Sequence, residues 1–217
     1  MAEFSIILGN KNYSSWSFRG WLALKLTGAD FDEEVIPLDQ PGTGEEIRRH
    51  SPSGRVPMLH HGEVGVWESL AIAEYLAETF PDAGLWPAGA GARAEARSIS
   101  AEMHAGFPAL RQGMPMNMRA SLPGKGMAEG VQADINRITA IWRGCRERHG
   151  GEGDFLFGAF CIADAMYAPV ASRFTTYGVE LDETSDAYRQ AVISHPAYVE
   201  WLDAARNEPW IIPREEL

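Results

Sequence analysis

Residues 9 to 28 read GNKNYSSWSFRGWLALKLTG, and Tyr13, Ser14, Ser15 and Ser17 crowd hydroxyls into one short loop. The loop stands between an apolar, strand-like run, Phe4 to Leu8, and a run from Trp16 to Leu26. In that second run Leu22, Leu26 and Trp21, Lys25 fall at helical spacing. A polar loop that opens a helix at the end of a strand is where anions and thiolates are held, because free N–H groups and the positive end of the helix face them. Every helix also needs a cap, and serine supplies one. On residue types alone both readings stand.

Two further stretches could carry chemistry. In VWESLAIAEYL, Glu68-Ser69 stands at the first turn of an apolar, helix-spaced run. Ser69 can simply cap that helix. Alternatively, Ser69 and the free N–H groups take a carboxylate while Glu68 takes an ammonium, which together describe an α-amino-acid end rather than a phosphate. In GRVPML, Val56-Pro57 leads an apolar strand. The pair is either the start of an edge strand or a cis bond that lets Val56 present its backbone to an extended peptide.

Composition bounds the rest. With 217 residues, 45% hydrophobic and 23% charged, the chain has enough material for one large or two modest domains. No run of about 18 apolar residues exists to span a membrane. MAEFSIILGN lacks a basic region and its apolar part is short, so no signal peptide is expected and a cytoplasmic location is. Cys145 and Cys161 are too few for a disulfide framework, and the six histidines show no metal-ligand spacing, so no metal is expected. A net charge of −11 argues against nucleic acid as a partner.

The elements that must position these residues follow from periodicity. Phe4 to Leu8, a helix over 16–27, a strand over 33–38 and a short helix or turn in GEEIRRHSPSG come first. VPMLHH and EVGVW then form a hairpin around Gly62, and a helix covers 68–80. This order predicts an α/β unit over residues 1–82. PDAGLWPAGAGAR reads as a linker, 83–91, and beyond it only helical patterns appear, over 92–119, 126–149, 161–176 and 196–207. Pro108 and Pro115 should break the first of these. Residues 92–217 are therefore predicted to be all-helical.

The set YSSWSFRGWLAL, GRVPML, WESLAIAEYL and CIADAMYAPV, in this order, resembles the cytosolic glutathione transferase superfamily, and the likeness spans nearly the whole chain. Ser14-Ser15-x-Ser17-x-Arg19 is similar to its zeta class, the maleylacetoacetate isomerases. The resemblance implies a thioredoxin-like N-terminal domain, a helical C-terminal domain and glutathione as cofactor. It implies that Ser14, or alternatively Ser15, donates a hydrogen bond that favours the glutathione thiolate, with Tyr13 as the remaining option. It also implies that Val56, before a cis Pro57, pairs with the cysteinyl part, and that Glu68 and Ser69 hold the γ-glutamyl end. Arg55 meets the glycine carboxylate on this reading, unless it is a solvated turn residue, and Gln40 substitutes through hydrogen bonds for the basic residue several classes carry after the second strand. Arg19 is expected in a structural ion pair. Cys161 replaces the usual hydroxyl of a helix-capping box with Asp164.

The acceptor pocket is expected along AEMHAGFPALRQGMPMNMRA. His104 and Arg111, seven apart, share a helix face and could meet an anionic acceptor. Phe107 and Met114 would wall the pocket, although the stripe Met103, Phe107, Leu110, Met114 suits a core equally well. The overall expectation is a homodimeric glutathione transferase acting on a small electrophile. Two alternatives are kept: a glutathione-dependent cis–trans isomerase, against which Trp16 stands where the zeta class has cysteine, and a non-catalytic interaction module.

Overall fold

The computed structural model describes residues 2–216. Its first part alternates strand and helix: β1 (Phe4–Leu8), α1 (Ser15–Lys25), β2 (Phe31–Val35), α2 (Thr43–His50), β3 (Met58–His61), β4 (Val64–Trp67) and α3 (Ser69–Thr79). The sheet order is β2-β1-β3-β4, with β1 and β2 parallel and the other pairs antiparallel. Ile6 of β1 lies opposite Leu59 of β3, and both are fully buried. The expected second strand lies two residues earlier than its apolar pattern suggested, because Pro37 has no N–H to offer. The last bond of that ladder runs from the Ile36 N–H to the Leu8 carbonyl, 2.8 Å.

Six helices follow a single 3₁₀ turn at Pro81–Ala83: α4 (Ala90–Ala105), α5 (Pro108–Gly113), α6 (Val131–His149), α7 (Ile162–Tyr177), α8 (Glu183–Ser194) and α9 (Pro196–Arg206). The long helix expected over 92–119 is broken where Phe107 takes a left-handed backbone, φ 62°, just before Pro108. The helix α8 was not expected. Only Ser185, Tyr188 and Val192 on it are buried, a stripe too thin to stand out, although Asp182 caps it through the Ser185 N–H at 3.0 Å.

Helix α1 is buried from Ser17 to Leu24 and packs against α3 on one side and α7 and α9 on the other. Phe18 stacks on Trp201 of α9 with centroids 5.0 Å apart, and Trp21 meets the same indole at 5.2 Å. Gly20 lets α1 approach Pro57: a Cβ there would lie 2.9 Å from the proline ring. One apolar core therefore runs from β1 through α1 into α7 and α9.

The start of α7 is fixed by a fully buried carboxylate. Asp164 accepts from the Cys161 N–H at 2.9 Å, the Leu156 N–H at 3.1 Å and the Tyr188 hydroxyl at 3.0 Å. Burial raises its pKa to about 6 against these hydrogen bonds. Cys161 fills the hydroxyl position of the box with sulfur, and burial pushes its thiol pKa up, so it is no reactive nucleophile. Asp164→Ala strands three buried donors and should lower unfolding free energy by about 3 kcal/mol, read by urea denaturation. Asp164→Asn, which keeps an acceptor oxygen, should cost less.

Candidate functional site

A cleft of about 670 Å³ opens where the loop before β3, the start of α3 and the end of α4 converge. Trp16, Ser53, Arg55, Val56, Pro57, Trp67, Glu68, His104 and Ala105 line it. The Val56-Pro57 bond is cis. Val56 stands outside the ladder, which begins at Met58, so its backbone polar groups are not committed to a strand partner. Arg55 beside it is exposed.

At the start of α3 the backbone does something unusual. Glu68 is held at φ 77°, a left-handed conformation that a non-glycine residue adopts only under tertiary constraint. No side chain caps the helix. The first intrahelical bond is Ile72 N–H to the Glu68 carbonyl, 2.9 Å, so the N–H groups of Ser69, Leu70 and Ala71 point out of the helix end. The Ser69 hydroxyl lies among them, 1% exposed, with no hydrogen-bond partner in the fold. Buried hydroxyls almost always find partners, so an orphaned one beside free N–H groups is a place prepared for an acceptor. The Glu68 carboxylate reaches across to α4, where His104 Nε2 lies 3.1 Å from its Oε2.

The serine loop is ordered by its own hydroxyls. Ser14 is the N-cap of α1: its Oγ accepts from the Ser17 N–H at 3.3 Å and lies 2.8 Å from Ser17 Oγ. Ser17 Oγ in turn accepts from the Gly9 N–H at 2.9 Å. Ser14 thus donates its proton to Ser17 in this structure, and serving a ligand requires the Ser14 O–H to turn away from Ser17. The sequence reading gave Ser17 no role; its spacing of three from the capping serine was the available signal. Ser14 and Ser15 are 7% and 6% exposed, and Trp16, in the first turn of α1, is on the cleft wall. Tyr13 turns the other way, its hydroxyl held by Glu216 and by Arg119 Nη2 at 2.9 Å. Burial raises its pKa, and the Glu216 hydrogen bond raises it further.

Behind Trp16 three guanidinium groups gather. Arg19 and Arg111 lie over its ring at 4.9 and 4.7 Å, and Arg173 Nη2 reaches Ser15 Oγ at 3.5 Å. Arg19 donates to the carbonyls of Met166 and Ser15, Arg173 to those of Met114 and Pro169, and Arg111 to those of Gly106 and Met103. None forms an ion pair among the described residues, which corrects the structural ion pair expected for Arg19. One Arg19 nitrogen, Nη2, is buried without a partner. Burial lowers the pKa of all three, Arg173 to about 9, and mutual repulsion adds to the effect on Arg19 and Arg173.

The structure therefore brings Arg55, Val56, Pro57, Glu68 and His104 to one cleft; Ser69 is buried next in sequence to Glu68, and Ser14 and Ser15 are buried just ahead of Trp16. Other expected residues go elsewhere. Phe107 and Met114 are 6% and 1% exposed in the core, along with Met103, Leu110 and Met116, so this stripe packs rather than lining the cleft. Gln40 is exposed in a separate groove with Pro41, Thr43 and Trp210.

Residues 13–79 match the glutathione S-transferase N-terminal domain family. Among curated relatives, a dichloromethane dehalogenase of Methylorubrum extorquens is 47% identical over 58 residues, 26% of this chain and 20% of that protein. A probable maleylacetoacetate isomerase of Caenorhabditis elegans is 37% identical over 98 residues, 45% of each. The chain thus spans less than half the length of these relatives. Among solved structures, a Burkholderia glutathione transferase homologue with bound glutathione superposes with a TM-score of 0.71 at 24% identity, over 94% of this chain and 99% of that one. This likeness establishes the two-domain fold.

The orphaned hydroxyl makes a prediction that needs no ligand. Ser69→Ala should leave stability unchanged or raise it by up to about 1 kcal/mol, because it deletes an unsatisfied buried group. Urea unfolding measures this, and a clear loss of stability would mean that the hydroxyl is bonded within the fold.

Proposed function

We infer that this chain, which belongs to the glutathione transferase superfamily, binds glutathione in the cleft and activates its thiol for transfer to a small electrophile. The observation that carries the reading is the Ser69 hydroxyl, buried without a partner at the uncapped N-terminus of α3 beside Glu68. Ser69 and the free N–H groups suit the γ-glutamyl carboxylate, and Glu68 suits the ammonium next to it. Val56 offers its backbone to the cysteinyl part, and the exposed Arg55 offers a guanidinium to the glycine carboxylate. Gln40, in its separate groove, is the weakest member of this set.

When bound, glutathione supplies the sulfur nucleophile. The protein's part is to make the thiolate cheap at neutral pH. The N-terminus of α1 contributes its positive end, and Ser14, by turning its O–H from Ser17 to the sulfur, contributes one donor. Glu68 is shared: the contact with His104 means that the ammonium joins a carboxylate already oriented from the helical domain. We place this activity in a cytoplasmic homodimer that removes electrophiles by conjugation.

The second reading is the glutathione-dependent isomerase, and the arginine cluster favours it. Two buried guanidiniums and a half-buried third, none in an ion pair among the described residues and one with a free N–H, suit an acceptor that carries its own carboxylate. Trp16 stands between that cluster and the cleft, so such an acceptor would need the indole to move.

The decisive comparison is Ser14→Ala against Ser69→Ala. Ser14→Ala should lower kcat by roughly 10- to 100-fold with KM for glutathione changed less than about threefold, because it removes a donor to the developing thiolate. The ultraviolet thiolate band of the bound thiol should weaken in parallel. Ser69→Ala should weaken glutathione binding about tenfold in calorimetry, the cost of one hydrogen bond to a charged group. Loss of activity in Ser15→Ala with Ser14→Ala unaffected would move the donor role to Ser15. No binding at millimolar glutathione would leave the interaction module as the better reading.

A further inference from the structure

The loop that delivers Ser14 is held from the far end of the chain. Glu208, just past α9, accepts from two consecutive backbone N–H groups: Lys11 to Oε1 at 2.5 Å and Asn12 to Oε2 at 3.0 Å. The carbonyl of Lys11 accepts from Trp201 Nε1 at 2.8 Å, so both backbone groups of that residue are fixed by the C-terminal region. The same turn closes on itself through the Asn10 carbonyl, which accepts from Tyr13 at 3.2 Å and Ser14 at 2.8 Å. Glu208 thus grips the outer side of the turn whose inner side ends at the capping serine.

The grip is itself braced. Arg119 donates to the carbonyls of Glu208 and Trp210, at 2.8 and 2.9 Å, and to the Tyr13 hydroxyl. Asn12 Oδ1 accepts from the Arg119 N–H at 3.0 Å, and Asn12 Nδ2 donates to Asn117 at 2.9 Å. Lys11 sends its ammonium away from Glu208, to Glu33. The Glu208 carboxylate therefore spends both oxygens on backbone N–H groups and forms no side-chain ion pair among the described residues. An ion pair would have been enough to pin a tail to a surface. Two peptide N–H groups taken by one carboxylate instead fix the path of the loop.

We propose that Glu208 is a positioning residue of the thiol-activating site, setting the place of the Ser14 hydroxyl by clamping the Lys11–Asn12 backbone. This rests on the reading that Ser14 serves a bound thiol. The clamp does not touch the cleft, so its loss acts on the alignment of the donor and leaves the γ-glutamyl and cysteinyl contacts intact. Misplacement of a donor by a fraction of an ångström weakens activation with little effect on affinity.

The test uses the full chain with Glu208→Gln, which keeps one acceptor, and Glu208→Ala, which keeps none. Parent and variants are compared in glutathione affinity by calorimetry, the pKa of the bound thiol from its ultraviolet band, kcat and KM, amide exchange across residues 9–17 without ligand, and melting temperature. The expected result for Glu208→Gln is a kcat about tenfold lower, a thiol pKa raised by about one unit, affinity within about threefold, and faster exchange confined to the loop. Glu208→Ala should go further in the same direction. Unchanged thiol pKa and kcat in both variants would overturn the proposal, and so would a parallel fall of affinity, kcat and melting temperature, which would mark Glu208 as a general structural anchor. A parent protein that fails to bind glutathione overturns the functional reading instead; unaltered exchange at Lys11 and Asn12 in the variants would then still refute the clamp.

Discussion

A loop that is buried must find a partner for every backbone N–H and C=O it carries, since none can turn to water. That constraint governs residues 9–12, which lie almost wholly inside the protein. The Gly9 N–H goes to Ser17, the Asn10 side chain takes the Leu38 N–H, Glu208 takes Lys11 and Asn12, and Met118 donates to the Asn12 carbonyl. The partners come from α1, from the segment after β2, from the loop after α5 and from beyond α9. The serine loop is thus the point where distant segments of the chain must agree, and the placement of α1 follows from it.

The site combines two electrostatic environments. At α3 the positive end of a helix and an orphan hydroxyl await an anion, with an exposed carboxylate close by, which is the charge pattern of an amino-acid zwitterion. Behind Trp16 the charge is all of one sign. The three arginines there donate to carbonyl oxygens, with Arg19 and Arg111 also over the face of an indole, and none sits in an ion pair among the described residues. A buried charge without a counter-charge is costly, and its persistence in a packed interior is a structural fact that any account of the acceptor has to accommodate.

What the amino-acid sequence revealed of this site is what is local. Glu68-Ser69 can be placed at a helix start because caps lie next to the helices they open, and Val56-Pro57 draws attention because proline restricts its own neighbourhood. The strands, the hairpin and the apolar helices are legible for the same reason. Glu208 is not, since its partners stand 196 and 197 positions away and nothing about an isolated glutamate announces them. The Phe107 and Met114 stripe shows the opposite difficulty: its periodicity is real, but a core and a pocket wall are patterned alike, and only the three-dimensional packing, which buries both side chains, tells them apart. Helix α8 escaped because it buries too little to leave a pattern.

The double burial of α1 bears on how such a protein can be rebuilt. The N-terminal α/β unit has its own sheet, which suggests a module that could be cut out and joined to a new partner. Yet Phe18, Trp21 and Arg19 find their neighbours in α7 and α9: Trp201 for the two rings, the Met166 carbonyl for the guanidinium. Severed from those helices, the unit would show water two large aromatic faces and a half-solvated cation, a surface more prone to clump than to stay folded alone. Recombination is therefore possible only with helical halves that carry a tryptophan and a free carbonyl in matching places, which narrows the pool of interchangeable parts to close structural kin.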